Sequence, residues 1–370
     1  MSLLHILQSR LAQKQDIPFV DFMQLALYDP TAGYYSSGLP KIGGTGDFIT
    51  APELTPLFGK TIANQCLQIT TQLETPILFE YGAGTGRLCI DILSHLEHLK
   101  ALPKTYYILE VSANLRHRQQ ERILQEIPHL ANTVEWLDAW PKTPFNGVIL
   151  ANEVLDAMPV HRFMYTHQGI MESYIGLDDR GDLIERFKPS ENQELVTYIK
   201  NHLPLETAPY LSEANLFLDD WMRNNYQMLH QGAVFLIDYG FPRQEYYHPD
   251  RNQGTLMCHY QHQAHTNPLL HPGEQDITAH VDFTHVAEAG YEAGFHIAGY
   301  TNQASFLLSN GLLDLINELD DERRRFKANQ AIKQLVQPSE MGELFKVIAL
   351  TKNMEIDLNG FQLQDKRASL

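Results

Sequence analysis

Cysteine, long apolar runs and positive charge are what this 370-residue sequence has little of, and each shortage closes off a class of protein. Only three cysteines occur, Cys66, Cys89 and Cys258, far apart and without a CxxC pair. Neither a disulfide framework nor a cysteine-rich zinc site is indicated, and a reducing, cytoplasmic setting fits. The longest apolar runs, such as 148–151 and 233–237, fall far short of the roughly 18 residues that cross a bilayer, so no membrane span is expected. Lys and Arg total 28 against 45 Asp and Glu, a formal net charge of -17. Such a field repels phosphate backbones, which argues against nucleic-acid binding, and favours a cationic substrate. The amino-terminal stretch sets Leu3, Leu4, Ile6, Leu7 and Leu11 at helical spacing without the basic start and cleavage site of a secretory signal, and reads as an amphipathic helix.

Hydrophobic residues make up 44% of the chain and charged residues 20%, enough apolar material for a sizeable core. A second helix is expected over 19–27, followed by a loop rich in glycine: Gly33, Gly38, Gly43, Gly44 and Gly46. Thr50-Ala51-Pro52-Glu53 carries the marks of a capped helix start, and that helix is expected to run toward Leu73. From Pro76 short apolar runs alternate with helical stretches. Strands are expected at 77–81, 106–110, 134–137, 147–151 and 233–238, and crossover helices at 87–100 and 113–126. This alternation specifies a doubly wound parallel sheet. A helix at 283–293 and two strands at 295–300 and 345–351 close the pattern.

The sharpest feature is Glu80-Tyr81-Gly82-Ala83-Gly84-Thr85-Gly86-Arg87, which follows an expected strand and opens an expected helix. Glycines there let the backbone turn tightly and let a ligand approach without a Cβ in the way. The spacing is GxGxG, and Arg87 stands where the dinucleotide pattern GxGxxG has its third glycine, which weighs against a NAD-dependent oxidoreductase. Glu80 suits a ligand bearing an ammonium group, such as the methionine portion of S-adenosylmethionine, and would repel a pyrophosphate. Glu110 ends the next strand, where a carboxylate can accept both ribose hydroxyls. Asp138, after the third strand, is placed to meet an adenine edge. The alternative for the glycine cluster is a tight connection with no ligand.

Eight segments, in this order along the chain, carry a family resemblance. They are Gly33-Tyr34-Tyr35, Gly46-Asp47-Phe48, Leu57-Phe58-Gly59, the Glu80 to Gly86 turn, Ala151-Asn152-Glu153-Val154-Leu155-Asp156-Ala157-Met158-Pro159, Asp238-Tyr239-Gly240, Asp276-Ile277-Thr278-Ala279-His280-Val281-Asp282-Phe283 and Met341-Gly342-Glu343-Leu344-Phe345-Lys346. On these the chain resembles, over nearly its whole length, the MidA-like class I S-adenosylmethionine-dependent methyltransferases. Mitochondrial members of that family are respiratory complex I assembly factors that methylate an arginine of a complex I subunit. The resemblance implies an α/β class I methyltransferase (Rossmann-like) fold with a seven-stranded sheet whose last strand is antiparallel. It also implies S-adenosylmethionine as cofactor and a protein substrate, with a complex I subunit as the candidate. The expected division is an N-terminal helical cap and lid over 1–75, a methyltransferase core over 76–351 and a tail over 352–370. Insertions in the core at about 160–215, 241–280 and 304–343 build a substrate cleft.

Methyl transfer from a sulfonium is an in-line displacement in which the protein aligns the nucleophile and keeps water out, and it requires no metal. A guanidinium nucleophile arrives charged, so carboxylates must orient it. Glu153 and Asp156, three apart just past the fourth strand, make a fork if one turn of helix joins them, and Asn152 lies at the cofactor edge. Their alternative is to cap a helix start before Pro159. Asp238, ending the fifth strand, takes a proton or pairs with substrate, or else caps the following loop. Gly46, Asp47 and Phe48 are expected to fold over the cofactor as a lid, with a static packing loop as the alternative. Tyr34 and Tyr35 are pocket walls or core aromatics. His259, His262 and His265 recur at a spacing of three, but no cysteine or HExxH helix accompanies them, and no metal is expected. His265, His280 and Tyr239 are assigned to the substrate cleft. Asp276, Thr278, His280 and Asp282 are alternatively a capping cluster for the helix that starts at Phe283. Two other functions stay open: a non-catalytic complex I assembly factor that binds the cofactor, and a NAD-dependent oxidoreductase.

Overall fold

The computed structural model describes residues 2–12, 16–36, 50–203, 208–319 and 321–370. Seven strands form its central sheet: β1 (Ile77–Tyr81), β2 (Thr105–Leu109), β3 (Val134–Leu137), β4 (Phe145–Asn152), β5 (Leu229–Phe241), β6 (His296–Asn302) and β7 (Phe345–Lys352). Their order across the sheet is β3-β2-β1-β4-β5-β7-β6, and the two-residue strand Val281–Asp282 pairs with the end of β5. Strands β1 to β5 run parallel, while β7 is antiparallel to both β5 and β6. The expected α/β sheet with an antiparallel last strand is therefore the one that forms.

The principal helices are α1 (Leu3–Leu11), α2 (Phe19–Tyr28), α3 (Ala51–Leu54), α4 (Pro56–Thr70), α5 (Arg87–His98), α6 (Ala113–Glu126), α7 (Leu218–Met228) and α8 (Phe283–Ala293). Inner parallel strands are covered on both faces, which is why they read as unbroken apolar runs. Leu78, Val148, Leu150 and Phe235 enter one core with Phe58 and Ile62 of α4 and Leu88 and Ile92 of α5. Phe79, Ile149, Val234 and Leu236, alternating with them, enter a second core with Trp221 and Met222 of α7 and Phe283 and Val286 of α8.

One rung of paired residues crosses all seven strands: Leu137, Leu109, Tyr81, Ala151, Leu236, Ile348 and Tyr300. Residues one or two positions past that rung on the parallel strands consequently share one edge of the sheet. Gly82, Glu110, Asn152, Glu153 and Asp238 stand there.

The helix expected to run from Thr50 to Leu73 is instead two helices, α3 and α4, broken at Thr55. Pro56 disfavours helical backbone at the residue before it, and Thr55 is extended, with φ -164° and ψ 142°. Its hydroxyl caps α4 by accepting from the Leu57 N–H at 3.3 Å. The Thr50 side chain makes no capping bond to α3; the Glu53 N–H donates to the Thr50 carbonyl at 3.0 Å instead, and the Glu53 carboxylate is held by Arg122 at 2.7 Å and by Thr85.

Residues 160–214 build an antiparallel sheet of His161–Thr166, Gly169–Leu177, Leu183–Pro189 and Tyr210–Ala214, to which Ile17–Pro18 adds an edge. The first two helices pack on this sheet rather than on the central one: Leu3, Leu7, Phe19, Phe22 and Met23 share a core with Val160, Ile175, Ile277 and Ala279. The 241–280 stretch contributes three short strands, Met257–Tyr260, Gln263–His265 and Asp276–Thr278. In the tail, Leu358 and Phe361 are buried in the main core. No helix among the described residues is long and apolar enough to cross a membrane.

Strands β1, β4 and β5 meet through two glycines. A Cβ on Gly147 would stand 1.8 Å from the Ile77 carbonyl oxygen, and one on Gly232 would stand 1.8 Å from that of Gly147. Backbone cannot yield there without opening the sheet. Gly147→Ala should lower unfolding free energy by about 3 kcal/mol, at the upper end of overpacking costs, measured by urea denaturation. A loss under about 1 kcal/mol means the strands separate at little cost.

Candidate active site

A cavity of about 600 Å³ opens at the shared edge of β1, β2 and β4, where the Gly-rich turn faces Asn152, Glu153 and Asp156. The turn takes left-handed backbone at all three glycines, with φ +54° at Gly82, +54° at Gly84 and +81° at Gly86, a conformation any Cβ would penalise. Gly82 and Gly84 line the cavity, while Gly86 caps the start of α5. Arg87 begins that helix and is held by Asp91 and Glu126.

Glu80 lies at the base of the turn, buried, and its Oε2 accepts from the Tyr106 hydroxyl at 2.8 Å. Burial pushes its pKa up to about 8, opposed by the Tyr106 bond and reinforced by the charge of Glu110. Glu110 is raised as well, again by burial. Its two oxygens accept from the Ser112 N–H and from the Gln119 amide, both at 2.9 Å. Gln119, fully buried, also donates to the Gly84 carbonyl at 2.9 Å and accepts from the Trp136 indole at 2.9 Å. One side chain thus sets the distance between the Gly-rich turn and the carboxylate at the end of β2. Nothing in the sequence pattern singles out Gln119, which sits on a largely polar helix.

The stretch after β4 is a turn and not a helix, so the fork of Glu153 and Asp156 does not arise from helical spacing as expected. It arises from Asp238. That carboxylate is buried behind the turn, with Oδ2 accepting from the N–H groups of Val154 at 3.2 Å, Leu155 at 3.0 Å and Asp156 at 3.2 Å, and Oδ1 accepting from the Tyr239 N–H at 2.9 Å. Burial pushes the Asp238 pKa up, with the charges of Asp156 and Glu153 adding to it against the pull of the amides. Asp238 therefore shapes the site from behind; both oxygens are committed to backbone, and it does not line the cavity. This corrects its assignment as a catalytic group.

Glu153 adopts φ +53°, a left-handed conformation that costs a non-glycine residue about 1 kcal/mol, and its N–H donates to the Ile237 carbonyl at 2.9 Å. Its side chain receives the Asn152 amide at 3.2 Å. Burial, then the charge of Asp156, pushes the Glu153 pKa up to about 8. Asp156 is only 5% exposed and is raised to about 6 by burial, against the bond from the Tyr239 hydroxyl to its Oδ2. Asn152 Oδ1 and Asp156 Oδ1 are buried without a hydrogen-bond partner among the described residues.

Several expected site residues are placed elsewhere. The Asp138 side chain is 88% exposed and pairs with Arg116 on the surface; β3 is the edge strand, and the chain past it turns to solvent, leaving Trp140 as the cavity residue from that loop. Tyr34 is fully buried in the core, whereas Tyr35 lines the cavity. Tyr239 stands one layer back, behind Asp156, edge-on to His280 at 5.1 Å. His280 stacks on Phe241 at 5.3 Å and burial lowers its pKa to about 4. His265 lies in the strand Gln263–His265 away from the cavity. Asp282 alone caps the helix at Phe283, accepting from the Thr284 and His285 N–H groups at 3.0 and 3.1 Å. Gly46, Asp47 and Phe48 fall outside the described residues. Tyr28, Tyr35 and Asp276 join the cavity wall from distant parts of the chain, and no local pattern foretells that meeting.

Among the described residues no group of three or more His, Cys, Asp and Glu could hold a metal. The wall does fit an adenosyl amino acid: left-handed glycines that leave room for its approach, Glu80 for an ammonium, Glu110 for ribose hydroxyls, and the buried Asn152 Oδ1 still without a donor among the described residues.

Residues 61–301 match the model of a family described as S-adenosyl-L-methionine-dependent methyltransferase. A crystal structure from Burkholderia thailandensis bound to S-adenosyl-homocysteine is 41% identical, covers 100% of this chain and 96% of its own, and superposes with a TM-score of 0.95. A native crystal structure from the same organism is 40% identical with the same coverage and a TM-score of 0.91. Among curated relatives, the Drosophila melanogaster protein arginine methyltransferase NDUFAF7 homolog, mitochondrial, is 26% identical over 94% of this chain and 84% of its own length. The Homo sapiens protein arginine methyltransferase NDUFAF7, mitochondrial, is 26% identical over 94% and 82%.

Glu80 yields a pH test. Its carboxyl is protonated below about pH 8 in the resting cavity, and an ammonium group favours the ionised form. Binding must then expel a proton at lower pH, so affinity for S-adenosyl-homocysteine should rise between pH 6 and 8, by up to about tenfold per unit, and level off above. Calorimetry in buffers of differing ionisation enthalpy should register release of about one proton near pH 6.5, absent in Glu80→Gln. A flat affinity across that range removes Glu80 from the ligand.

Proposed function

The chain belongs to the MidA-like S-adenosyl-L-methionine-dependent methyltransferases, and from that premise we propose that it methylates an arginine side chain of a protein partner. The observation that carries this reading is the pair of carboxylates, half-buried Glu153 and buried Asp156, facing one cavity with the Gly-rich turn. The names of the distant relatives, protein arginine methyltransferases, support it. The partner we favour is a respiratory complex I subunit, on the family resemblance set out above. We also favour a reducing, cytoplasmic setting, on the scarcity of cysteine and the lack of a CxxC pair.

S-adenosylmethionine supplies a methyl group on a sulfonium centre. The protein's part is to present the guanidinium in line with it. Glu153 and Asp156 accept from two guanidinium nitrogens and fix its plane, so that one nitrogen is turned toward the methyl group. The methylated nitrogen must lose a proton, and Glu153, raised to about 8 in the resting site, takes it.

The sign of the pH dependence follows. An arriving cation favours ionised carboxylates, so kcat/KM should climb from pH 6 through 8 as Asp156 and then Glu153 ionise, and level off above. Glu153→Gln should lower kcat about 100-fold and remove the upper part of the climb, with cofactor affinity held within about twofold. Labelled S-adenosylmethionine and the candidate complex I subunit, followed by mass spectrometry of the product, check both. Label on a residue other than arginine, or full activity in Glu153→Gln, overturns the reading. Normal complex I assembly with a variant that transfers no methyl group would point to the non-catalytic factor instead.

A further inference from the structure

Two of the carboxylates facing the cavity come from the turn after β4, but a third comes from far along the chain. Asp276 opens the strand Asp276–Thr278, which pairs with Met257–Tyr260 in the second insertion. Its side chain is 2% exposed and lines the same cavity. It is near enough to Glu153 and Tyr28 for its charge to raise the pKa of both. Its Oδ1 accepts from the Tyr35 hydroxyl at 3.2 Å and from the Ile277 N–H at 3.0 Å.

We propose that Asp276 is a specificity-determining residue of this site, completing with Glu153 and Asp156 a three-sided carboxylate pocket for a planar guanidinium, and that Tyr35 is its positioning residue. The proposal rests on the arginine reading above and assigns recognition of the cation to a strand of the second insertion.

Three observations carry it. Asp156 is 5% exposed, on the cavity wall, with Oδ1 lacking a partner among the described residues; a buried carboxylate oxygen in that state calls for a donor. The rings of Tyr28 and Tyr35 stack 5.5 Å apart at 23° beside these acids, and their hydroxyls are engaged elsewhere, Tyr28 on the Ala157 carbonyl at 2.9 Å and Tyr35 on Asp276. Flat ring faces with carboxylates around them suit a flat, weakly hydrated cation whose several N–H groups lie in one plane. A tetrahedral, strongly hydrated ammonium fits such a slot poorly. Finally, the turn bearing Tyr35 is tied to the cofactor end: its carbonyl accepts from the Ser112 hydroxyl at 2.6 Å, and the Ser112 N–H donates to Glu110.

The test uses the full chain loaded with S-adenosyl-homocysteine, titrated with ethylguanidinium and with butylammonium and followed by NMR. The wild type should bind ethylguanidinium at least about tenfold tighter. Asp276→Asn should weaken that binding about tenfold and erase the preference. Tyr35→Phe, which keeps the ring and loses the bond, should cut the preference and raise KM for an arginine substrate more than it changes kcat, with S-adenosyl-homocysteine affinity unchanged. No preference in the wild type, or an undiminished one in both variants, overturns the proposal. Arginine methylation that persists with wild-type KM in both variants overturns it while the arginine reading stands. A guanidinium preference lost in both variants, in a protein that methylates no arginine, upholds the pocket while that reading falls.

Discussion

The buried carboxylate of Asp238 is the point from which the active site hangs. It lies on β5 two residues past the rung that aligns the seven strands, and there it gathers three successive amides of the neighbouring turn and the one that follows it in its own strand. Removing it would take the partner from four backbone donors, and the two on buried residues, Leu155 and Asp156, would each cost about 1 to 3 kcal/mol. No helix or ladder orders residues 153–156. What orders them is this single carboxyl group, and it is why Glu153 can be held in left-handed backbone with its carboxylate in the cavity. The outer side of the turn is secured as well: the Asp156 carbonyl accepts from the Ala279 N–H at 2.9 Å, and the Ala157 carbonyl from Tyr28.

The two ends of the cavity are joined through side chains rather than through the sheet. Gln119 links the Gly-rich turn to Glu110, and Ser112 links Glu110 to the turn carrying Tyr35. A cofactor seated on Glu80 and Glu110 and a cation seated between Glu153, Asp156 and Asp276 would thus share one set of supports. The acidic excess of the chain is partly concentrated here, since Glu80, Glu110, Glu153, Asp156 and Asp276 all face one cavity.

The central sheet was readable because a parallel strand covered on both faces must be apolar without interruption; all seven strands lie within a few residues of the runs that mark them. The placement of Glu80, Glu110, Asn152, Glu153 and Asp156 on one cavity was readable for a related reason: on parallel strands in register, chain position at or just past the strand's end translates into position at the edge. The same rule misplaces Asp138, because an edge strand of four residues has a neighbour on one side only and its continuation leaves the site. It also misjudges Asp238, which stands at a strand end like the others but is covered by the turn it anchors. His265 and His280 were assigned to the cleft on the family resemblance, and a match of chain position says nothing of side-chain direction in an irregular insertion. Tyr28, Tyr35 and Asp276 meet only because α2 and two insertions fold against each other through the Phe22, Ile175 and Ile277 core, a long-range event with no local trace.

Amide hydrogen exchange at Val154, Leu155 and Asp156 tests the central claim most directly. If the Asp238 carboxylate holds them, these three amides should exchange as slowly as those of β4 and β5 although they belong to no regular element, and in Asp238→Asn they should speed up while the strand amides stay protected. Exchange of the three at loop rates in the wild-type protein would contradict the account.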